Sequence, residues 1–99
     1  MSARRIVRIV VRGRVQGVGF RAWTQHQAEL HGLEGWVRNR RDRSVEAVLA
    51  GPPDAVAVML KALRAGPRGS RVDGLDEREA DEAALAERPG PGFSVLPTA

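Results

Sequence analysis

The residues from Arg5 to Arg12, "RIVRIVVR", alternate with a period of two, and "GRVQGVGFR" follows them with three glycines between Gly13 and Gly19. Val7, Ile9 and Val11 fall on one face of an extended chain, while Arg8 and Arg12 share the other with Val10. Such alternation of β-branched residues marks a half-buried strand. Beyond the glycines no helix breaker occurs from Arg21 to His31, and Phe20, Thr24, Ala28 and His31 follow one helical stripe that Gly32 ends. A strand that passes through a glycine-rich loop into a helix is the first half of a strand-helix-strand unit.

The rest of the chain repeats that order. Gly35 to Arg40 and Ser44 to Ala50 read as two strands, with "RDR" between them as a hairpin turn. "GPP" at Gly51 to Pro53 ends the second of these and opens a helix, with proline tolerated in the first turn and Asp54 near its positive end. Val56, Met59, Leu60 and Leu63 give that helix one buried face, and Gly66-Pro67 stops it. Val72 to Arg78 is a weaker strand. "EADEAALAERPGPG" reads as an acidic surface connection with room for a short helical turn, and "FSVL" as a short fifth strand at an edge. The predicted fold class is α+β. Its two strand-helix-strand units form a ferredoxin-like two-layer sandwich, βαββαβ, with an antiparallel sheet on two helices.

At 99 residues the whole chain, 1–99, reads as one domain. It has no cysteine, which excludes disulfides, thiolate metal sites and a cysteine nucleophile. No apolar run approaches the ~20 residues of a membrane span. Arg8 and Arg12 interrupt the apolar stretch near the N-terminus too early for a secretion signal, so a cytoplasmic protein is expected. The net charge is +4, and every basic residue but Lys61 is arginine. Compositional bias explains this as well as an affinity for oxyanions, to which arginine's planar fork is suited. Charge alone does not separate the two.

The loop sits where a strand meets a helix, so the first helical N–H groups lack partners and carry partial positive charge. Glycines let successive amides point inward and let a ligand approach without meeting a Cβ. Arg21 can add a bidentate contact. The spacing is neither a Walker loop, since no "GK[ST]" is present, nor the G-x-G-x-x-G of dinucleotide folds. Taken by themselves, the residues leave an oxyanion nest and a merely tight turn both open.

"GRVQGVGFR" followed by "GWVRN" resembles the acylphosphatase family, whose motifs are G-x-V-Q-G-V-G-F-R and G-W-V-x-N. The resemblance covers nearly the whole chain: "SVE" after the hairpin, "GPPDAV" at the second helix, "SRV" at the next strand and "GF" near the end. It implies a hydrolase of acyl phosphates that uses neither metal nor other cofactor. It also implies a phosphate-binding loop made by the backbone amides of Arg14, Val15, Gln16, Gly17, Val18, Gly19 and Phe20. The essential arginine maps onto Arg21 and the water-orienting asparagine onto Asn39. The implied partner is a small-molecule acyl phosphate; no nucleic-acid or membrane partner is expected, and nothing in the sequence demands more than a monomer.

The chain departs from the family pattern in the hairpin, where Arg43 stands at a common glycine position, and at His31, where an aliphatic residue is usual. His26 and His31 are wrongly spaced for one helical face. Phe20 and Trp36 read as core residues, Trp23 as packing or half-exposed, and the acids from Asp76 to Glu87 as a solvated surface. A competing class is a nucleic-acid module, since ferredoxin-like sheets include RNA binders. Only four aromatics and no tyrosine are present to stack on bases. A third class is a regulatory or maturation domain in a larger assembly. The pair Arg21 and Asn39 favours an enzyme.

Overall fold

A computed structural model describes residues 4–99; residues 1–3, the start of the stretch weighed above as a signal, lie outside the described residues. β1 (Arg5–Arg14) runs to the edge of the glycine loop and buries Val7, Ile9 and Val11 on one face. A bulge falls between Arg12 and Gly13. Gly13 has φ 129°, and a Cβ there would lie 2.1 Å from the Arg71 carbonyl oxygen, so the close approach of the next strand requires glycine.

α1 (Phe20–Leu30) buries Phe20, Thr24 and Ala28. The Thr24 hydroxyl is satisfied by donating to the Phe20 carbonyl at 2.8 Å. His31 falls off that buried stripe: it caps the helix, half-buried, with Nδ1 2.7 Å from the Gln27 carbonyl. β2 (Glu34–Asn39) and β3 (Val45–Gly51) form the expected hairpin. In its turn Arg43 adopts a left-handed φ of 75°. Asp42 holds the bend, its Oδ1 accepting from the Ser44 N–H at 3.0 Å and the Ser44 hydroxyl at 2.5 Å. α2 (Pro53–Ala65) buries Val56, Met59, Leu60 and Leu63 as its spacing predicts. β4 (Arg71–Glu79), α3 (Glu82–Leu85) and β5 (Phe93–Val95) complete the chain.

The strands lie in the order β4-β1-β3-β2-β5. Every pairing is antiparallel except β2 with β5, which is parallel, so the sheet is mixed rather than wholly antiparallel as expected. The reason is topological. After β4 the chain stands at one edge and must reach the other, crossing under the sheet before β5 enters alongside β2.

One face of the sheet meets the two long helices. Val7, Ile9 and Val11 of β1, Val37 of β2 and Val45, Ala47 and Leu49 of β3 pack there with Phe20, Ala28, Val56, Met59 and Leu63. Each large apolar side chain so buried contributes about 1.5–3 kcal/mol. The acidic connection carries the short helical turn that its sequence leaves room for, and that turn covers part of the other face. α3 turns Ala84 and Leu85 onto Trp36, Val48 and Ala50 in a second, smaller core. The Trp36 indole N–H donates to the Ala84 carbonyl at 2.8 Å. The acids from Asp76 to Glu87 are exposed as expected, and several of them pair with arginines at the surface: Asp76 with Arg12, Glu77 with Arg5 and Arg64, Glu79 with Arg5, and Glu87 with Arg8 and Arg38. Asp81 caps α3.

Candidate active site

The loop between β1 and α1 is a run of backbone donors. Gly17 and Gly19 have φ of 74° and 78°, and Gly19 is the N-cap of α1 with no side-chain cap bond. No acidic residue stands in the first turn of the helix. Among the described residues, the N–H groups from Gln16 to Ala22 have no protein acceptor, the ladder of α1 beginning with Trp23 N–H to the Gly19 carbonyl at 3.0 Å. Unpaired helix-start amides next to a concave turn attract an anion. A Cβ at Gly17 or Gly19 would meet nothing within 4 Å. Those glycines are therefore explained by their backbone conformation, and the space above them is open.

A cleft of about 280 Å³ occupies that space, lined by Val15, Gly17, Gly19, Phe20, Arg21, Ala22, Gln25, Asn39 and Val95. Its size is at the lower end of small-molecule sites, ~300 Å³. Arg21 enters from the first turn of α1, half-buried, with no carboxylate partner among the described residues. Asn39 enters from the last position of β2. Its backbone carbonyl accepts from the Ala99 N–H at 3.1 Å, which holds the end of that strand.

Of the residues expected from sequence, Val15, Gly17, Gly19, Phe20, Arg21 and Asn39 meet at this cleft. Arg14, Gln16 and Val18 do not line it. Arg14 is the last ladder residue of β1, opposite Arg71, and Val18 packs against the core. The Gln16 side chain turns away to the base of the hairpin. Ala22, Gln25 and Val95 line the cleft without having been anticipated. Gln25 follows Arg21 by one helical turn, a signal open to periodicity. Val95 reaches the cleft because β5 runs parallel to β2, with Val95 opposite Val37. Nothing local in the sequence announces that. Trp23, left open between packing and exposure, is half-buried and stacks edge-on to Phe20 at 5.6 Å between centroids.

Open amides, an arginine with no carboxylate partner among the described residues and a polar side chain share one cleft on a ferredoxin-like sandwich. The family model described as Acylphosphatase matches residues 7–93. An acylphosphatase of Bradyrhizobium diazoefficiens is 56% identical over 98 residues, covering 97% of this chain and 98% of the relative. The crystal structure of acylphosphatase from Bacillus subtilis superposes with a TM-score of 0.80 at 37% identity, covering 92% of this chain and 97% of that one. An acylphosphatase from Coxiella burnetii gives 0.83 at 29% identity, covering 94% and 93%. The chain belongs to the acylphosphatase family.

Proposed function

We propose that this cleft hydrolyses the carboxyl-phosphate bond of acyl phosphates, with the loop amides of residues 16–20 and the Arg21 guanidinium holding the phosphoryl group and Asn39 holding the attacking water. The reaction class follows from membership of the acylphosphatase family. The assignment of roles rests on one observation: donors without acceptors in the loop and an arginine without a carboxylate share a cleft with Asn39.

The chemistry asks little of the protein beyond that. The leaving group is a carboxylate whose conjugate acid has a pKa of about 4, by analogy with side-chain carboxyls. It departs without prior protonation. Positioning and stabilisation of charge on the equatorial phosphoryl oxygens then carry catalysis. Arg21 and the amides supply the stabilisation, and the Asn39 side-chain carbonyl orients the water in line with the departing oxygen. The water oxygen forms the new bond to phosphorus as the bond to the acyl oxygen breaks. One water proton passes to a phosphoryl oxygen of the substrate, giving carboxylate and inorganic phosphate. No metal or cofactor takes part.

Two observations favour this reading over a nucleic-acid module. Trp36 lies buried beneath α3 on the sheet face where such modules stack bases, and both phenylalanines are buried. The large hydrophobics exposed among the described residues, Leu30, Val58 and Val95, are spread over α1, α2 and β5, which supports a monomer; a cytoplasmic location is part of the same proposal. Among the described residues no helix is long and apolar enough to cross a membrane. The test is hydrolysis of an aryl acyl phosphate in excess EDTA with inorganic phosphate as competitor. Metal-independent turnover, competitively inhibited by phosphate, is expected. Turnover that disappears with EDTA and returns with a divalent cation would overturn the mechanism.

A further inference from the structure

We infer that the side chain of Gln16 positions Asn39, acting as a strut between the phosphate loop and the hairpin that carries the water-holding residue. This rests on the roles proposed above for the loop and Asn39. Gln16 Nε2 donates to the Arg40 carbonyl at 2.8 Å and to the Ser44 carbonyl at 2.9 Å. Both partners are acceptors, so the contact requires the amide's two N–H groups and fixes which way the carboxamide faces.

The two carbonyls belong to the pair that closes the hairpin. Asn39 lies opposite Val45 at the end of the β2–β3 ladder, and the next pair is Arg40 with Ser44, whose N–H···O bond is 2.9 Å. The Arg40 carbonyl also accepts from the Arg43 N–H at 3.1 Å. One side chain from the loop thus shares both carbonyls that shape the turn, directly beside Asn39. Gln16 is half-buried, so water competes weakly for these bonds.

The strut acts on the hairpin rather than on the loop. The loop is pinned at both ends by Val15 and Phe20, each at most 2% exposed, and continues into β1 and α1. The hairpin tip from Arg41 to Arg43 is exposed. Its other tie runs through Ala99, which accepts from the Arg41 N–H at 2.9 Å on the β5 side. Without Gln16, the water on Asn39 loses its register against a phosphoryl group that the loop still holds.

The test is a double-mutant cycle of Gln16→Ala with Asn39→Ala, following kcat and the competitive inhibition constant of inorganic phosphate, with urea midpoints to establish folding. Gln16→Ala alone should lower kcat by about 10-fold or more, toward the ~10²-fold scale of a 1 Å misplacement, with phosphate inhibition kept within about 2-fold. In the Asn39→Ala background the same change should cost less than about 2-fold, because there is no longer a water to misplace. Gln16→Glu should do no better than alanine, since a carboxylate cannot donate to two carbonyls. Should Gln16→Ala not fold, Gln16→Met keeps the length of the side chain, drops its donors and carries the same cycle. Fully additive losses, or phosphate inhibition that weakens in step with kcat, would overturn the strut while leaving Asn39's own role standing. An Asn39→Ala protein that turns over normally would remove the reading on which the strut depends, and the strut with it.

Discussion

Two groups of arginines in this protein meet opposite surroundings. On the face under α3, Arg8 and Arg38 lie over the Trp36 ring, at 5.6 and 4.6 Å from its centroid, and share Glu46 and Glu87 between them. Glu46 is buried, and Arg38 Nε reaches it at 2.9 Å. At the loop end, Arg14, Arg21, Arg40, Arg41 and Arg43 have no carboxylate partner among the described residues. The same side chain closes a core in one place and stands open in the other. Arg21 lines the cleft beside amides that are also without acceptors, and on the proposed reading the phosphoryl group of the substrate matches both.

The contrast is broken most severely at Arg21. Arg21→Ala should cost at least ~10²-fold in kcat/KM, the scale of losing one oxyanion donor, and abolish phosphate inhibition. Arg21→Lys should rescue little, since the bidentate fork is gone. Neither change should move the urea midpoint, because no protein carboxylate is left behind. Arg8→Ala should do the reverse. It leaves Glu46 and Glu87 short of a partner and should destabilise by about 2 kcal/mol, with kcat per folded molecule unchanged. Activity loss in Arg8→Ala without loss of stability would erase the distinction between the two groups.

Smaller effects sharpen it at the hairpin. Arg43 holds a left-handed φ of 75°, so Arg43→Gly should raise stability by about 0.5–1 kcal/mol in a denaturation series. The smallest effect is in the acid range. Asp42's carboxyl is held below its ordinary value by the Ser44 hydroxyl and then by the Ser44 N–H. Its charged form is therefore favoured by folding, and that stabilisation is present above the ordinary aspartate value of about 3.9 and lost as pH falls through the depressed one. Urea midpoints of the protein and Asp42→Asn should differ near neutrality and converge in acid.

Much of this was legible in local pattern. β1 and α2 follow from their periods because each buries one face against the same core. The loop was legible because strand, glycines and arginine are contiguous. Where the reading failed, the partner was distant in sequence. The acidic segment after β4 is the surface connection that its composition suggests, but Ala84 and Leu85 within it are buried against Trp36, which only the fold brings near. The parallel entry of β5 depends on where the chain must cross, and with it the place of Val95 in the cleft. Gln16 reads from sequence as a residue that shapes the loop, and its side-chain bonds span to hairpin residues that only the fold brings near. The left-handed Arg43 was visible as a missing glycine, and the Asp42–Ser44 bond that holds the bend was not.

The division of labour at the cleft is tested most directly by Asn39→Ala. Steady-state hydrolysis of an aryl acyl phosphate in excess EDTA, measured with inorganic phosphate as competitor, separates binding from water attack in one experiment. The account predicts a collapse of kcat in a folded protein that phosphate inhibits as strongly as before. A folded Asn39→Ala protein that no longer binds phosphate, or one that turns over at the original rate, would contradict it.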